Sequence, residues 1–168
     1  LGAQMRALLD AAPATDAPPD VIALILPHAG FQFSGSIAAA GVKAAAGRKY
    51  ARIVVLGPSH AVAMPDLLSV PRATHVTTPL GEIPLDEEFI GRMLEAPFVR
   101  EIPEANTREH STQMALPPLQ AARGGFRLVP VVVGQCSETT LLEAAALLRR
   151  LVDDDTLVVV SSYFTHYG

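Results

Sequence analysis

Four short apolar runs constrain this chain more than any other feature of its sequence. They are Val21 to Leu26, Arg52 to Leu56, Leu128 to Val133 and Thr156 to Val160. Each is too short for a helix of ordinary length, and three are rich in β-branched residues, so they read as strands. Apart from Arg52 and Thr156 at their starts, they are continuously apolar rather than alternating with polar residues. A strand of that kind predicts burial on both faces, as in a parallel sheet.

The segments between them carry helical patterns. Residues 1–12 place Met5, Leu8 and Leu9 on one helical face, and Pro13, Pro18 and Pro19 make residues 13–20 a linker. Residues 36–46 are alanine-rich and helical. Leu67 to Val70 and Phe98 to Ile102 read as shorter strands. Asp86 caps a helix over 86–94, with Glu87 and Glu88 in its first turn, where acidic groups are favoured. Residues 110–122 read as a helix that Pro117 and Pro118 must kink or split. Ser137 caps a helix over 138–151, with Leu141, Leu142, Ala145, Leu148 and Leu151 expected to face inward. Strands alternating with helices predict an α/β domain with a mainly parallel central sheet flanked by helices. The whole of 1–168 reads as one such domain, its first 20 residues being the N-terminal helix and linker.

Composition narrows the class. Apolar residues make up 49% of the chain and charged residues 18%, which excludes a disordered segment. No apolar run approaches the roughly 20 residues that span a bilayer. A net charge of −4 with no basic block argues against nucleic acid as a partner. The one cysteine, Cys136, excludes an internal disulfide and suits a reducing compartment. There is no secretory leader pattern, so a cytoplasmic location is expected. The first residue is Leu1 rather than Met, and the chain stops soon after its last strand, which points to a trimmed or partial chain.

In open parallel sheets, ligands bind beyond the carboxyl ends of the strands. Pro27-His28-Ala29-Gly30 follows the first strand, Gly57-Pro58-Ser59-His60 the second, and Ser161-Ser162-Tyr163-Phe164-Thr165-His166 the last. Three of the five histidines thus fall at equivalent positions. Imidazole is the commonest metal ligand and the usual general base near neutral pH. A single histidine is usually a hydrogen-bonded structural residue, but three so placed point to a shared pocket at one rim of the sheet. Glu109-His110-Ser111 opens a helix, where the N-terminal dipole disfavours a charged imidazole and so suits a ligand. Glu109 fits either a hydrogen-bond acceptor behind a ligand or a general base.

Other candidates are weaker. His75 sits in a polar stretch with no evident partner. Cys136 also follows a strand, yet a lone cysteine usually acts as a small buried hydrophobe. The loop from His28 to Gly35 could offer amides to an anion, but it is neither a dinucleotide-binding fingerprint nor a Walker loop. Ser59 does not lie in the nucleophile-elbow pattern of hydrolases.

The ordered series Pro27-His28-Ala29-Gly30, Ser34-Gly35, Gly57-Pro58-Ser59-His60, Thr78-Pro79-Leu80-Gly81, Glu109-His110-Ser111, Val133-Gly134 and Ser161-Ser162 resembles the Memo family, also called AmmeMemoRadiSam system protein B. The resemblance runs from about residue 20 to the end. It implies a fold related to LigB-type class III extradiol dioxygenases and a single-metal pocket at the strand ends. It implies iron or copper, with zinc as a further candidate, and His28, His60 and His110 match the family's metal-site histidines. Thr165 stands where animal members carry a cysteine ligand, Tyr163 where they carry an aspartate, and His166 is retained. Gln113 stands where many relatives carry a second acid. The family domain continues further, so its C-terminal part is absent here.

Two functions follow as expectations. The first is a metal-dependent oxidoreductase acting on a small molecule or a protein group, with Glu109 or His166 as acid or base. The family name further implies a radical-SAM partner protein. The second is a non-catalytic scaffold that binds a peptide or an anion on a dioxygenase-like fold. A third outcome is a degenerate site, marked by Tyr163 and Thr165.

Overall fold

A computed structural model describes residues 1–163 apart from Thr15, Ala17 and Pro19. Helix α1 (Gly2–Ala11) precedes the first strand, β1 (Ala23–Leu26), and α2 (Phe31–Ala44) leads into β2 (Arg52–Pro58). Then come β3 (Leu68–Ser69), the strands β4 (His75–Thr78) and β5 (Gly81–Pro84), α3 (Glu87–Met93) and β6 (Val99–Arg100). The short helices α4 (Pro103–Arg108), α5 (His110–Gln113) and α6 (Leu116–Ala122) follow. The chain then forms β7 (Arg127–Val133), α7 (Glu138–Leu151) and β8 (Thr156–Ser161).

The main sheet has six strands in the order β1-β8-β2-β7-β3-β6. Every pair is parallel except β3 against β7. This is the mainly parallel α/β sheet that the apolar runs predict. The last strand in sequence, β8, lies between the first two. The in-register pair Val54 and Val129 is fully buried, as is Val131 further along β7, and with Leu128, Leu157 and Val159 they make the centre of the core.

The crossover β1–α2–β2 runs one way along the sheet and β7–α7–β8 the other, so right-handed connections put α2 and α7 on opposite faces. Gly41 lets α2 lie close on β1, because a Cβ there would come 2.5 Å from Leu26. Lys43 of α2 donates to the carbonyls of Leu9 and Ala12, which ties down the end of α1. Among the described residues, no helix is long and apolar enough to cross a membrane.

Several local expectations need correction. The run at Val21 to Leu26 is not buried on both faces. β1 is the edge strand, and although Leu26 is buried against α2, Ile25 on the other face is 53% exposed. Helix α2 starts at Phe31, five residues earlier than expected, because Ser34 and Gly35 fit its first turns. In α7 the inward residues are Thr140, Ala144, Leu147 and Leu151. Leu141 and Leu142, expected inside, are exposed, and so is Ala145. The antiparallel β4–β5 pair and helix α4 lie in stretches where the sequence predicts no element, because their polar residues carry no apolar period. Residues 110–122 do split, with Pro117 and Pro118 in the first turn of α6, where proline costs no hydrogen bond.

Asp86 caps α3 as expected, its Oδ1 accepting from the Phe89 amide at 3.0 Å and its Oδ2 pairing with Arg52 at 2.7 Å. Ser137 caps α7 by accepting from the Thr140 amide.

Candidate metal centre

The site forms where β1, β8 and β2 end side by side. His28 lies two residues past β1, His60 two past β2, and His110 opens α5. Parallel order brings the first two loops to one rim, with the end of β8 between them. Helix α5 reaches the same rim because Gly57 has no side chain. A Cβ there would fall on the side chain of Ser111, whose hydroxyl donates to the Pro58 carbonyl at 2.8 Å.

The three rings form one cluster. Ring centroids are 5.3 Å apart for His28 and His60, 5.7 Å for His28 and His110, and 4.7 Å for His60 and His110. One nitrogen from each lies within 4.8 Å of the others. Two nitrogens bound at about 2.1 Å from one ion sit at most about 4.2 Å apart, so small ring rotations close the set. His28 is buried, whereas the side chains of His60 and His110 are 42% and 56% exposed. Among the described residues, the cluster is open on the side of His60 and His110.

Hydrogen bonds set the ring tautomers. Ser161 donates its one hydroxyl proton to the Ser111 carbonyl at 2.6 Å. Its oxygen, 2.9 Å from His28 Nδ1, must then accept from that nitrogen. A neutral His28 carries its lone pair on Nε2. The His60 ring does the same through a different partner, its Nδ1 lying 2.8 Å from Glu109 Oε1, which can only accept when ionised. Both rings thus present Nε2 as a donor atom for a metal.

Glu109 is 1% exposed and anchors the rim. Its carboxylate accepts from the His60 amide at 2.6 Å and from the Ser111 amide at 2.9 Å, besides the His60 ring. Burial alone would push this carboxyl up, but the bonds from His60 and Ser111 outweigh it and hold the pKa at about 2. The His110 ring lies 3.5 Å from the same oxygen. Glu109 therefore stands behind the histidines as a charged acceptor.

Tyr163 packs edge-on against His28, with centroids 4.6 Å apart. Burial pushes its phenol up, partly opposed by a backbone hydrogen bond with His28. Thr165 and His166 lie outside the described residues. Cys136 is away from the cluster, its Sγ 3.7 Å from the Leu67 carbonyl, and burial pushes its thiol up. His75 is also remote, on β4, where it contacts Thr74 and Glu82 and so is not without partners. Ser59 donates to the Val62 carbonyl and closes a turn. The role of Ser161 in orienting His28 was not evident from sequence, although its place at the end of a central strand was.

The family model for Memo-like proteins matches residues 1–168. The chain belongs to the Memo family. Memo relatives include a MEMO1 family protein of Schizosaccharomyces pombe, 32% identical over 86% of this chain and 50% of its own length. Another MEMO1 family protein, from Methanobrevibacter smithii, is 37% identical over 66% of this chain and 40% of its own. Protein MEMO1 of Homo sapiens is 33% identical over 83% of this chain and 48% of its own. This Memo-family chain spans about half the length of the curated relatives it matches.

Proposed function

We propose that this Memo-family chain holds one transition-metal ion on His28, His60 and His110 and acts as a metal-dependent oxidoreductase on a small molecule or a protein group. The observation that carries the reading is the convergence of three imidazoles, two of them set by Ser161 and Glu109 to present Nε2. The donor set fits the ion. Neutral imidazoles suit iron(II), copper and zinc, and no carboxylate or thiolate among the described residues joins them to select a harder or softer metal. A redox-active ion bound there would supply electron-transfer or dioxygen chemistry.

The chain's own residues supply the rest. Glu109, ionised over the whole range in which proteins work, keeps the His60 proton on Nδ1. Ser161 holds His28 in register with the end of β8. Tyr163 covers the His28 ring and leaves access from the side of His60 and His110. His166 is the acid or base that this reading assigns from the sequence, and a radical-SAM protein in a cytoplasmic setting is the partner that it expects.

The test is metal uptake. Protein loaded anaerobically with iron(II), copper(I) or zinc should retain one equivalent by elemental analysis, and His28→Ala should retain none while keeping its fold. Oxygen consumption with catechol-like and thiol substrates then tests the oxidoreductase reading. Equal metal content in wild type and His28→Ala would overturn the site. A loaded but redox-silent protein would favour a peptide- or anion-binding scaffold.

A further inference from the structure

The three rings of the cluster are not held alike. His28 is buried, and its Nδ1 donates to Ser161 Oγ at 2.9 Å. Glu109 holds His60 twice, by the ring Nδ1 at 2.8 Å and by the backbone amide at 2.6 Å. Neither ring can turn without breaking a hydrogen bond to a buried group. His110 has no such tie. Its nearest carboxylate oxygen, Glu109 Oε1, is 3.5 Å away, and that oxygen already accepts from the His60 ring and the Ser111 amide. Among the described residues, the His110 ring makes no hydrogen bond, and its side chain is 56% exposed. The backbone beneath it is fixed, since Ser111 and Thr112 are buried and the Met114 amide donates to the His110 carbonyl at 2.9 Å. The freedom is therefore confined to the side chain. It lies at 29° to the His60 ring, while both stand edge-on to His28.

One nitrogen of each ring lies within 4.8 Å of the others, whereas two nitrogens on one ion are at most about 4.2 Å apart. The movement that closes the set on an ion falls to His110, the ring that nothing holds. The reverse rotation breaks no hydrogen bond and frees one position on the open side of the cluster. We infer that His28 and His60 are the permanent grip on the ion and that His110 is an exchangeable third ligand, which yields its position to an external donor. The inference rests on the metal reading above and adds what the site admits. Three neutral imidazoles leave the charge of a divalent ion opposed only by the ionised Glu109 behind His60. The donor that replaces His110 is therefore anionic, an oxygen or sulfur group such as a phenolate, thiolate or carboxylate. The bond from His110 to the ion breaks as the bond from the donor forms, and no electron moves between them.

Azide added to the cobalt(II)-loaded protein is the probe, read by the visible absorption of the ion. In the wild type azide competes with His110, and in His110→Ala it meets no competitor. If His110 fills the position about nine-tenths of the time, the variant binds azide about tenfold more tightly. His110→Ala should also retain one cobalt, with affinity lowered by no more than about 100-fold, the range of an outer partner, whereas His28→Ala and His60→Ala retain none. Nitrogen-15 NMR of the metal-free wild type gives a second reading that needs no variant. His28 and His60 should each hold their proton on Nδ1, and His110 should average over both tautomers. Equal azide affinity in wild type and His110→Ala would overturn the inference. Loss of cobalt from His110→Ala, or a single fixed tautomer at His110, would do the same. A wild type that takes up no cobalt would overturn the metal reading itself, and the inference with it.

Discussion

The hydroxyl proton of Ser161 goes to the Ser111 carbonyl, and the same oxygen takes the Nδ1 proton of His28. A valine or alanine at 161 would leave that proton free to move to Nε2, where it would block a metal. Outer partners of this kind typically change metal affinity by about 10- to 100-fold. Ser161→Ala should therefore weaken zinc binding by about that factor, read by competition with a chromophoric chelator, with its melting temperature little changed. The histidines themselves were legible, because each follows a strand or opens a helix. Their tautomers were not, because a hydrogen bond between residues 28 and 161 leaves no trace in local sequence. His75 shows the same limit, since its contact with Glu82 depends on an antiparallel pairing that polar residues do not announce.

At the scale of elements, close approach decides the geometry. Gly57 lets α5 touch the end of β2, so Gly57→Ala must push Ser111 and with it His110 away. The expected cost is about 1–3 kcal/mol in urea unfolding, with a loss of metal affinity at least as large as for Ser161→Ala. At the start of α3, burial would raise the Asp86 carboxyl, but the Phe89 amide and Arg52 lower it below its usual value. Its folded-state pKa is thus depressed, so its contribution is complete above the unfolded-state value and is lost as pH falls through the folded one. Asp86→Ala should cost about 2–3 kcal/mol at pH 7, from the cap and the partly buried ion pair, and much less near pH 2. Denaturant midpoints at the two pH values check this. The caps of α3 and α7 were readable because Asp and Ser act on their own neighbours. The buried face of α7 was misread because Leu141, Leu142 and Ala145 are apolar yet exposed, while Thr140 and Ala144 face inward.

For the molecule as a whole, the alternation of apolar runs with helical segments was enough to give the layered parallel sheet. Strand order was beyond reach, because four interchangeable apolar runs do not say which lies beside which. An ion gripped by residues from two loops and the start of α5 binds only the folded chain, so it should act on global stability. At about a thousandfold excess over its dissociation constant, zinc should add about 4 kcal/mol, seen as a raised melting temperature that His28→Ala abolishes.

The position of β8 also bears on the order in which the fold is assembled. Among the described residues, β1 finds its one strand partner in β8, far along the chain. As the chain leaves the ribosome, β2 can pair with β7 before β8 is made, but Ala23 to Leu26 must wait for residues 158–161. The most continuous apolar stretch of the sequence thus has no strand partner among the described residues until β8 is made. Such long-range pairing is slow and exposes sticky surface to other chains. A nascent chain stalled just before β8 therefore has its first strand bare and its histidine rim without Ser161, and it is the state in which chaperones matter most for this sequence.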